Sequence, residues 1–227
     1  MDGFLLIDKP EGISSFGVVA KVRQIISQAE GKRVKIGHTG TLDPLASGLL
    51  ILVLGSYTKR AQEFSKMDKT YEAELTLGST SETGDGEGPI TAKSNKQIAK
   101  SEVDKALKSF VGEIEQTPHA HSAVKVGGQR AYKLARQGKE VIIEPRKVTI
   151  YELQTTNYEY PKLCFTARVS SGTYIRSLAE DIGQKLGIGA YMSALRRTKV
   201  GSFKMVDAVV LENLDSEIVK KRLQKSY

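Results

Sequence analysis

Gly37-His38-Thr39-Gly40-Thr41-Leu42-Asp43-Pro44-Leu45-Ala46-Ser47-Gly48 sets one acidic residue among turn formers, directly ahead of the apolar run from Leu49 to Leu54. Gly37 and Gly40 permit positive φ, Pro44 fixes its own φ and biases Asp43 away from helix, and the apolar run reads as a buried strand. The expected result is a carboxylate held where an irregular loop meets a rigid element. A turn aspartate bonding its own backbone is the plain alternative for an isolated Asp-Pro pair, so the rest of the chain has to decide.

Outward from this loop the chain alternates strands and helices. Gly3 to Asp8 reads as a strand closed by Lys9-Pro10-Glu11-Gly12, and Val18, Val19, Val22, Ile25 and Ile26 share one face of a helix beginning near Ser14 or Ser15. Thr70 to Leu77 alternates, which turns Tyr71 inward with Ala73, Leu75 and Leu77. Ser101-Glu102-Val103-Asp104 has the pattern of a capping box, opening a helix that Gly112 can end, and a further helix is closed by Gly138. Val141 to Val169 reads as two long strands broken near Pro161, and Tyr174 to Leu186 as a helix ended by Gly187. No regular β-α-β rhythm appears, so the expected fold class is α+β with an antiparallel or mixed sheet.

The chain has 227 residues, 40% of them apolar, enough for a substantial core. No apolar segment approaches the roughly 20 residues that span a bilayer, and the opening residues lack the pattern of a signal peptide, so a cytoplasmic protein with no membrane partner is expected. A net charge of +8 points to a polyanionic partner, with nucleic acid the leading class. The single cysteine, Cys164, reads as a small buried hydrophobe. Gly78 to Gly88, glycine-rich and acidic, reads as a loose solvated loop. Its Asp85 and Glu87 do not have the spacing of an EF-hand. His119-x-His121 could place two imidazoles on one strand face, but with only three histidines and no His-Glu helix motif a metal hydrolase is disfavoured. The segment from Gln116 to Gly138 carries Lys125, Arg130, Lys133 and Arg136 with few core signals, and reads as a basic arm.

Four blocks, taken together, resemble the bacterial tRNA pseudouridine synthases of the TruB family. Leu6-Ile7-Asp8-Lys9-Pro10-Glu11-Gly12-Ile13-Ser14-Ser15 is similar to the opening motif, and Gly37 to Gly48 to the motif with the catalytic aspartate. Lys69-Thr70-Tyr71 with Leu77 to Gly88 is similar to the third block. Ser170-Ser171-Gly172-Thr173-Tyr174-Ile175-Arg176-Ser177-Leu178, with Gly189-Ala190 and Leu195-Arg196-Arg197, is similar to the fourth. They occur in the family's order over roughly residues 3 to 203. There are two departures: Pro118-His119-Ala120-His121-Ser122-Ala123 stands where the family commonly has two prolines and an aromatic ahead of Ser-Ala, and only a short tail follows Phe203.

The resemblance implies a pseudouridine synthase fold, a mostly antiparallel mixed sheet flanked by helices with an inserted RNA-clamping segment over about 116–144. It implies one catalytic domain over 1–227 without the PUA domain that many members carry. The implied reaction turns the T-loop uridine of tRNA into pseudouridine with no cofactor and no metal, in a monomer that holds the T arm. Asp43 would initiate, Arg176 would hold it ionised and aimed, and Tyr71 would stack on the target base and serve in proton transfer. His38, Tyr174 and Leu195 would contact the flipped nucleotides, and Lys125, Arg130, Lys133 and Arg136 would clamp the RNA. The competing classes are a tRNA-folding helper on the same scaffold, which would not need both Asp43 and Arg176, and a guide-RNA-dependent relative, which would be expected to carry a further domain.

Overall fold

The computed structural model describes residues 1–225 apart from 121, 123, 136 and 140, and leaves the side chains of Lys125 and Tyr132 undescribed. The chain forms two compact units, Met1–Tyr71 with Leu195–Tyr227, and Glu72–Ala194. Both boundaries fall inside strands, Lys69–Leu77 and Ala190–Val200.

In the first unit the apolar runs of the sequence become strands covered on both faces. Gly3–Lys9 pairs antiparallel with Ser47–Leu54, in register from Gly3 opposite Leu54 to Lys9 opposite Gly48, and its other edge pairs in parallel with Val209–Val210. The period of two then sorts the side chains. Leu5, Ile7, Leu50, Leu52 and Leu54 join Val18, Val22 and Ile26 of the helix Ser15–Glu30 and Val219 of the helix Ser216–Arg222. Phe4, Leu6, Leu49, Ile51 and Val53 face the other way, onto Phe64, Val200 and Phe203. There the rings of Phe4, Phe64 and Phe203 lie 5.2 to 5.9 Å apart, tilted or edge-on, as aromatic quadrupoles prefer. The helix starts where expected: the Ser14 hydroxyl accepts the Gly17 N–H, and Gly31, at φ 64°, ends it.

The second unit holds a meander of Gly112–Gln116, Arg146–Glu159 and Lys162–Val169, antiparallel throughout, with the Lys69–Leu77 strand next to the last of these. The helices Lys100–Lys108 and Ile175–Lys185 bury Val103, Ala106 and Leu107, and Ile175, Leu178, Ala179 and Ile182. With the two parallel pairings of the first unit, Ile7 with Val209 and Arg196 with Ser47, the strand pairing is mixed and mostly antiparallel, and the α+β class is met.

Several local expectations change. The helix near Ser101 starts at Lys100 with Ala99 as its N-cap; alanine has no side-chain acceptor, so only half a capping box forms, the Ala99 N–H donating to Glu102 at 3.1 Å. That helix ends at Lys108, and Gly112, at φ 117°, opens a strand instead. The long strand begins at Arg146, not Val141, because pairing with Gly112–Gln116 sets its start. Cys164 is half-buried: in Lys162–Val169 the buried face holds Leu163, Phe165, Ala167 and Val169, and Cys164 alternates to the other. Desolvation, then the Glu74 carboxylate, pushes its thiol up, so it is no thiolate nucleophile.

Candidate active site

The loop bearing Asp43 is fastened from three sides. Ser15, in the first turn of its helix, uses one hydroxyl twice, donating to the Leu42 carbonyl and accepting the Leu42 N–H, both at 2.8 Å. The Lys9 ammonium, fully buried, donates to the carbonyls of Pro10, Ile13 and Pro44 at 2.9, 2.7 and 3.4 Å. Arg197, also buried, donates Nε to the Leu49 carbonyl at 2.8 Å and an Nη to that of Gly40 at 3.0 Å. Charge-assisted bonds of this kind are stronger than neutral ones, and they hold the backbone on both sides of Asp43.

The turn glycines do not act as expected. Neither Gly37 nor Gly40 has positive φ; Gly37 lies in the short strand Ile36–His38, paired opposite Val53. The position that requires glycine is Gly48, at φ 99°, where a Cβ would come within 2.4 Å of the Arg197 carbonyl oxygen. That close approach is where Ser47 and Gly48 pair with Arg196 and Arg197, so the strand starts at Ser47, two residues ahead of the apolar run.

Asp43 itself is half-buried, between this clasp and the Pro44-Leu45 turn. His38 is half-buried at the end of its strand, and desolvation, with Arg197 adding to it, pushes its imidazole below the ordinary value and keeps it neutral. Its Nδ1 is buried without a hydrogen-bond partner among the described residues. Tyr71 is 8% exposed on the inward face of its strand, as the alternation requires, and Leu195 is half-buried. Two residues before Tyr71, the Lys69 ammonium donates to the Ser65 and Met67 carbonyls. Burial lowers it to about 8, with Arg197 acting in the same direction and Asp68 opposing.

In the second unit Arg176 sits in the first turn of Ile175–Lys185 and is buried. Its Nη1 donates to the Thr83 carbonyl at 3.1 Å and lies 3.3 Å from Asp85 Oδ2. This corrects the reading of Gly78 to Gly88 as a loose solvated loop. Ser79–Ser81 pairs with Ile90–Ala92, and Asp85, 2% exposed, accepts the Thr83 hydroxyl at 2.6 Å and the Glu87 N–H at 3.1 Å. Gly84 and Gly86 exchange backbone bonds with Met192, both 3.0 Å, which draw the turn inward. Gly84 makes the packing possible, since a Cβ there would lie 3.1 Å from Cγ and Cδ of Arg176.

One turn on from Arg176, burial pushes the Glu180 carboxyl up to about 7, Asp181 and Asp85 add to this, and Arg176 opposes it. The Nε2 of His119, one of the departures from the family pattern, lies 3.5 Å from Glu180 Oε1. Tyr174, half-buried, is the N-cap of the same helix.

The basic arm has local order. Lys125–Val126 and Gln129–Arg130 form a hairpin whose two-residue turn is Gly127-Gly128, at φ 56° and 82°. Two adjacent positive φ values are what a tight hairpin turn needs, and the two glycines supply them. Arg130 and Lys133 are exposed; Arg136 and His121 lie outside the described residues. Among the described residues no group of three or more His, Cys, Asp or Glu is placed to hold a metal ion, and no helix is long and apolar enough to cross a membrane.

The site residues thus divide by unit: His38, Asp43, Tyr71 and Leu195 in the first, Tyr174, Arg176 and the arm in the second. Sequence reading gave no individual role to Lys9, Ser15, Arg197 or Asp85. All four stand in the matching blocks, and motif position was the only signal that could have found them.

Comparison with known proteins places the chain in the class of the pseudouridine synthases. Residues 23–175 match the model of the TruB family pseudouridylate synthase N-terminal domain, and 176–227 that of the tRNA pseudouridylate synthase B C-terminal domain. The chain belongs to the TruB family. It is 47% identical to tRNA pseudouridine synthase B of Clostridium kluyveri and 46% identical to that of Aquifex aeolicus, over 97% and 96% of this chain and 75% of each relative. Among solved structures it is similar to a chain of a Cbf5-Nop10-Gar1 complex, with a TM-score of 0.72 and 32% identity over 93% of this chain. A chain of an H/ACA RNP bound to a substrate RNA containing 2′-deoxyuridine matches with a TM-score of 0.70 and 28% identity over 98%. The chain spans only 53% and 56% of the length of those two solved chains.

Proposed function

We propose that this chain converts the T-loop uridine of tRNA, conventionally position 55, to pseudouridine. Family membership over nearly the whole chain is the observation that carries the proposal, since the relatives named tRNA pseudouridine synthase B share close to half its residues. The enzyme is an isomerase: the C–N glycosidic bond breaks, the uracil turns, and C5 joins the same ribose carbon. No electrons are gained or lost overall and no group is donated, so neither cofactor nor metal is called for.

The roles follow the matching motifs. Asp43 initiates cleavage, which requires its anion, and a fixed loop lets it act without reorganising. Arg176 is the cation that the matching motif assigns to this carboxylate; a guanidinium is charged at any physiological pH. Tyr71 stacks on the uracil and serves in proton transfer. The target lies inside a folded T arm, so the base must be flipped out. His38 fills the vacated space as a neutral ring, and Tyr174 and Leu195 line the pocket. We take both units to serve one catalytic domain, acting as a cytoplasmic monomer. Incubating the protein with an unmodified T-arm hairpin and mapping pseudouridine by mass spectrometry tests this. Product at the T-loop uridine is expected; tight binding with no product over many hours would instead point to a tRNA-folding helper.

A further inference from the structure

Tyr174 is held both by its backbone and by its ring. Gln116, the buried last residue of Gly112–Gln116, donates its carboxamide N–H to the Tyr174 carbonyl at 2.9 Å and accepts the Tyr174 N–H at 2.7 Å. One residue on, the Thr117 carbonyl accepts the Ser177 hydroxyl at 3.0 Å. Over the ring lies the guanidinium of Arg146, 4.8 Å from the centroid. Arg146 is the register partner of Gln116, so the residue that fixes the tyrosine and the one that stacks on it face each other across one strand pair. Gly172 borders the same place, where a Cβ would lie 4.0 Å from Arg146 Cζ.

Stacking fixes the plane of the guanidinium but satisfies none of its five N–H donors. Among the described residues no carboxylate or carbonyl takes one of its N–H groups, and its Nε is buried with no acceptor. A buried charged donor left unmet is costly, and native proteins leave few. A planar fork held on an aromatic face is shaped for two oxygens of a phosphate, and a net charge of +8 gives the protein a polyanionic partner to supply them.

We propose that Arg146 is a phosphate-binding residue of the RNA site: it takes one phosphodiester of the bound RNA, next to the nucleotide that contacts Tyr174. This rests on the functional reading given above for Tyr174. The contact replaces counterions, so it registers in salt dependence as well as in affinity.

The test is binding of an unmodified T-arm hairpin across a salt series by wild type, Arg146→Gln and Arg146→Lys. Arg146→Gln is expected to bind several-fold more weakly and to lower the slope of log K against log salt by roughly 0.7 to 0.9, the value for one phosphate contact. Arg146→Lys should keep the slope yet still bind more weakly, without the stacked fork. A second measurement needs no altered protein. Hairpins carrying one uncharged methylphosphonate at successive loop linkages should reveal a linkage that matters to wild type through Arg146. In Arg146→Gln that linkage should give no further loss. An unchanged slope, or no loop linkage that affects wild-type binding, would overturn the proposal and leave Arg146 as a support for Tyr174. A wild-type protein that binds the hairpin but leaves its uridine unchanged counts against the functional reading, while the phosphate contact stays measurable by binding alone.

Discussion

Arg176 Nη1 and Asp85 Oδ2 meet at 3.3 Å with both side chains buried, at 8% and 2% exposure. The carboxylate is further satisfied by Thr83 and the Glu87 N–H, so its charge is stabilised from three directions. The pair fixes a residue of the fourth sequence block against the third, and makes an acidic turn part of the core.

Removing one member of such a pair leaves the other charge buried and uncompensated. Asp85→Ala is expected to destabilise the protein by about 3–5 kcal/mol, with Asp85→Asn costing less because it can still accept from Thr83 and Glu87. Urea unfolding measures both. An Asp85→Ala variant as stable as wild type would mean that the turn is solvated after all.

Arg176→Lys retains the charge and loses the planar fork. Turnover should fall well beyond the change in RNA affinity, measured as single-turnover rate against the binding constant. Equal losses in both would make Arg176 a binding residue only.

Asp43→Asn preserves size and polarity and removes the anion. Pseudouridine formation should disappear while thermal midpoint and hairpin affinity stay close to wild type, since the loop is held through its backbone by Lys9, Ser15 and Arg197. A rate within tenfold of wild type, a barrier change of only ~1.4 kcal/mol, would remove Asp43 from the chemistry.

Glu180 gives a pH dependence with a definite sign. Its folded carboxyl is raised from 4.5 to about 7, chiefly by burial, with Asp181 and Asp85 on the raising side and Arg176 on the lowering side. A protonated His119 at 3.5 Å would also lower it. A raised value contributes stability that is complete below pH 4.5 and lost as pH climbs through 7. Glu180→Gln should therefore gain in thermal midpoint relative to wild type between pH 5 and pH 8. The side chain is 37% exposed, so solvent screening keeps the gain modest. A midpoint difference that is the same at both pH values would show that Glu180 ionises normally.

For the basic arm, replacing Lys125, Arg130, Lys133 and Arg136 together by Gln should weaken hairpin binding and flatten its salt dependence, by roughly 0.7 to 0.9 in log-log slope for each phosphate no longer neutralised. The single-turnover rate at saturating RNA should change little. Undiminished affinity and slope would place the clamp elsewhere.

Local pattern was enough to determine several elements of this protein. The unbroken apolar run from Leu49 to Leu54 read as a buried strand, the alternation from Thr70 to Leu77 turned Tyr71 inward, and Ser14 marked a helix start. Those features depend on side chains near one another in sequence, and hydrophobic period and capping chemistry read them directly. Motif order likewise marked Asp43, Arg176 and the class of reaction. The partners of the charges came only from tertiary structure. Lys9 reaching the Pro44 carbonyl, Arg197 reaching that of Gly40, Arg176 against Asp85 and Arg146 over Tyr174 are separated by between 28 and 157 positions in the chain. A buried cation and an exposed one are the same letter in sequence. What distinguishes them is the low-dielectric surroundings and the acceptors that folding brings to them, and the same holds for Gly48, required where another strand's backbone passes too close for a Cβ.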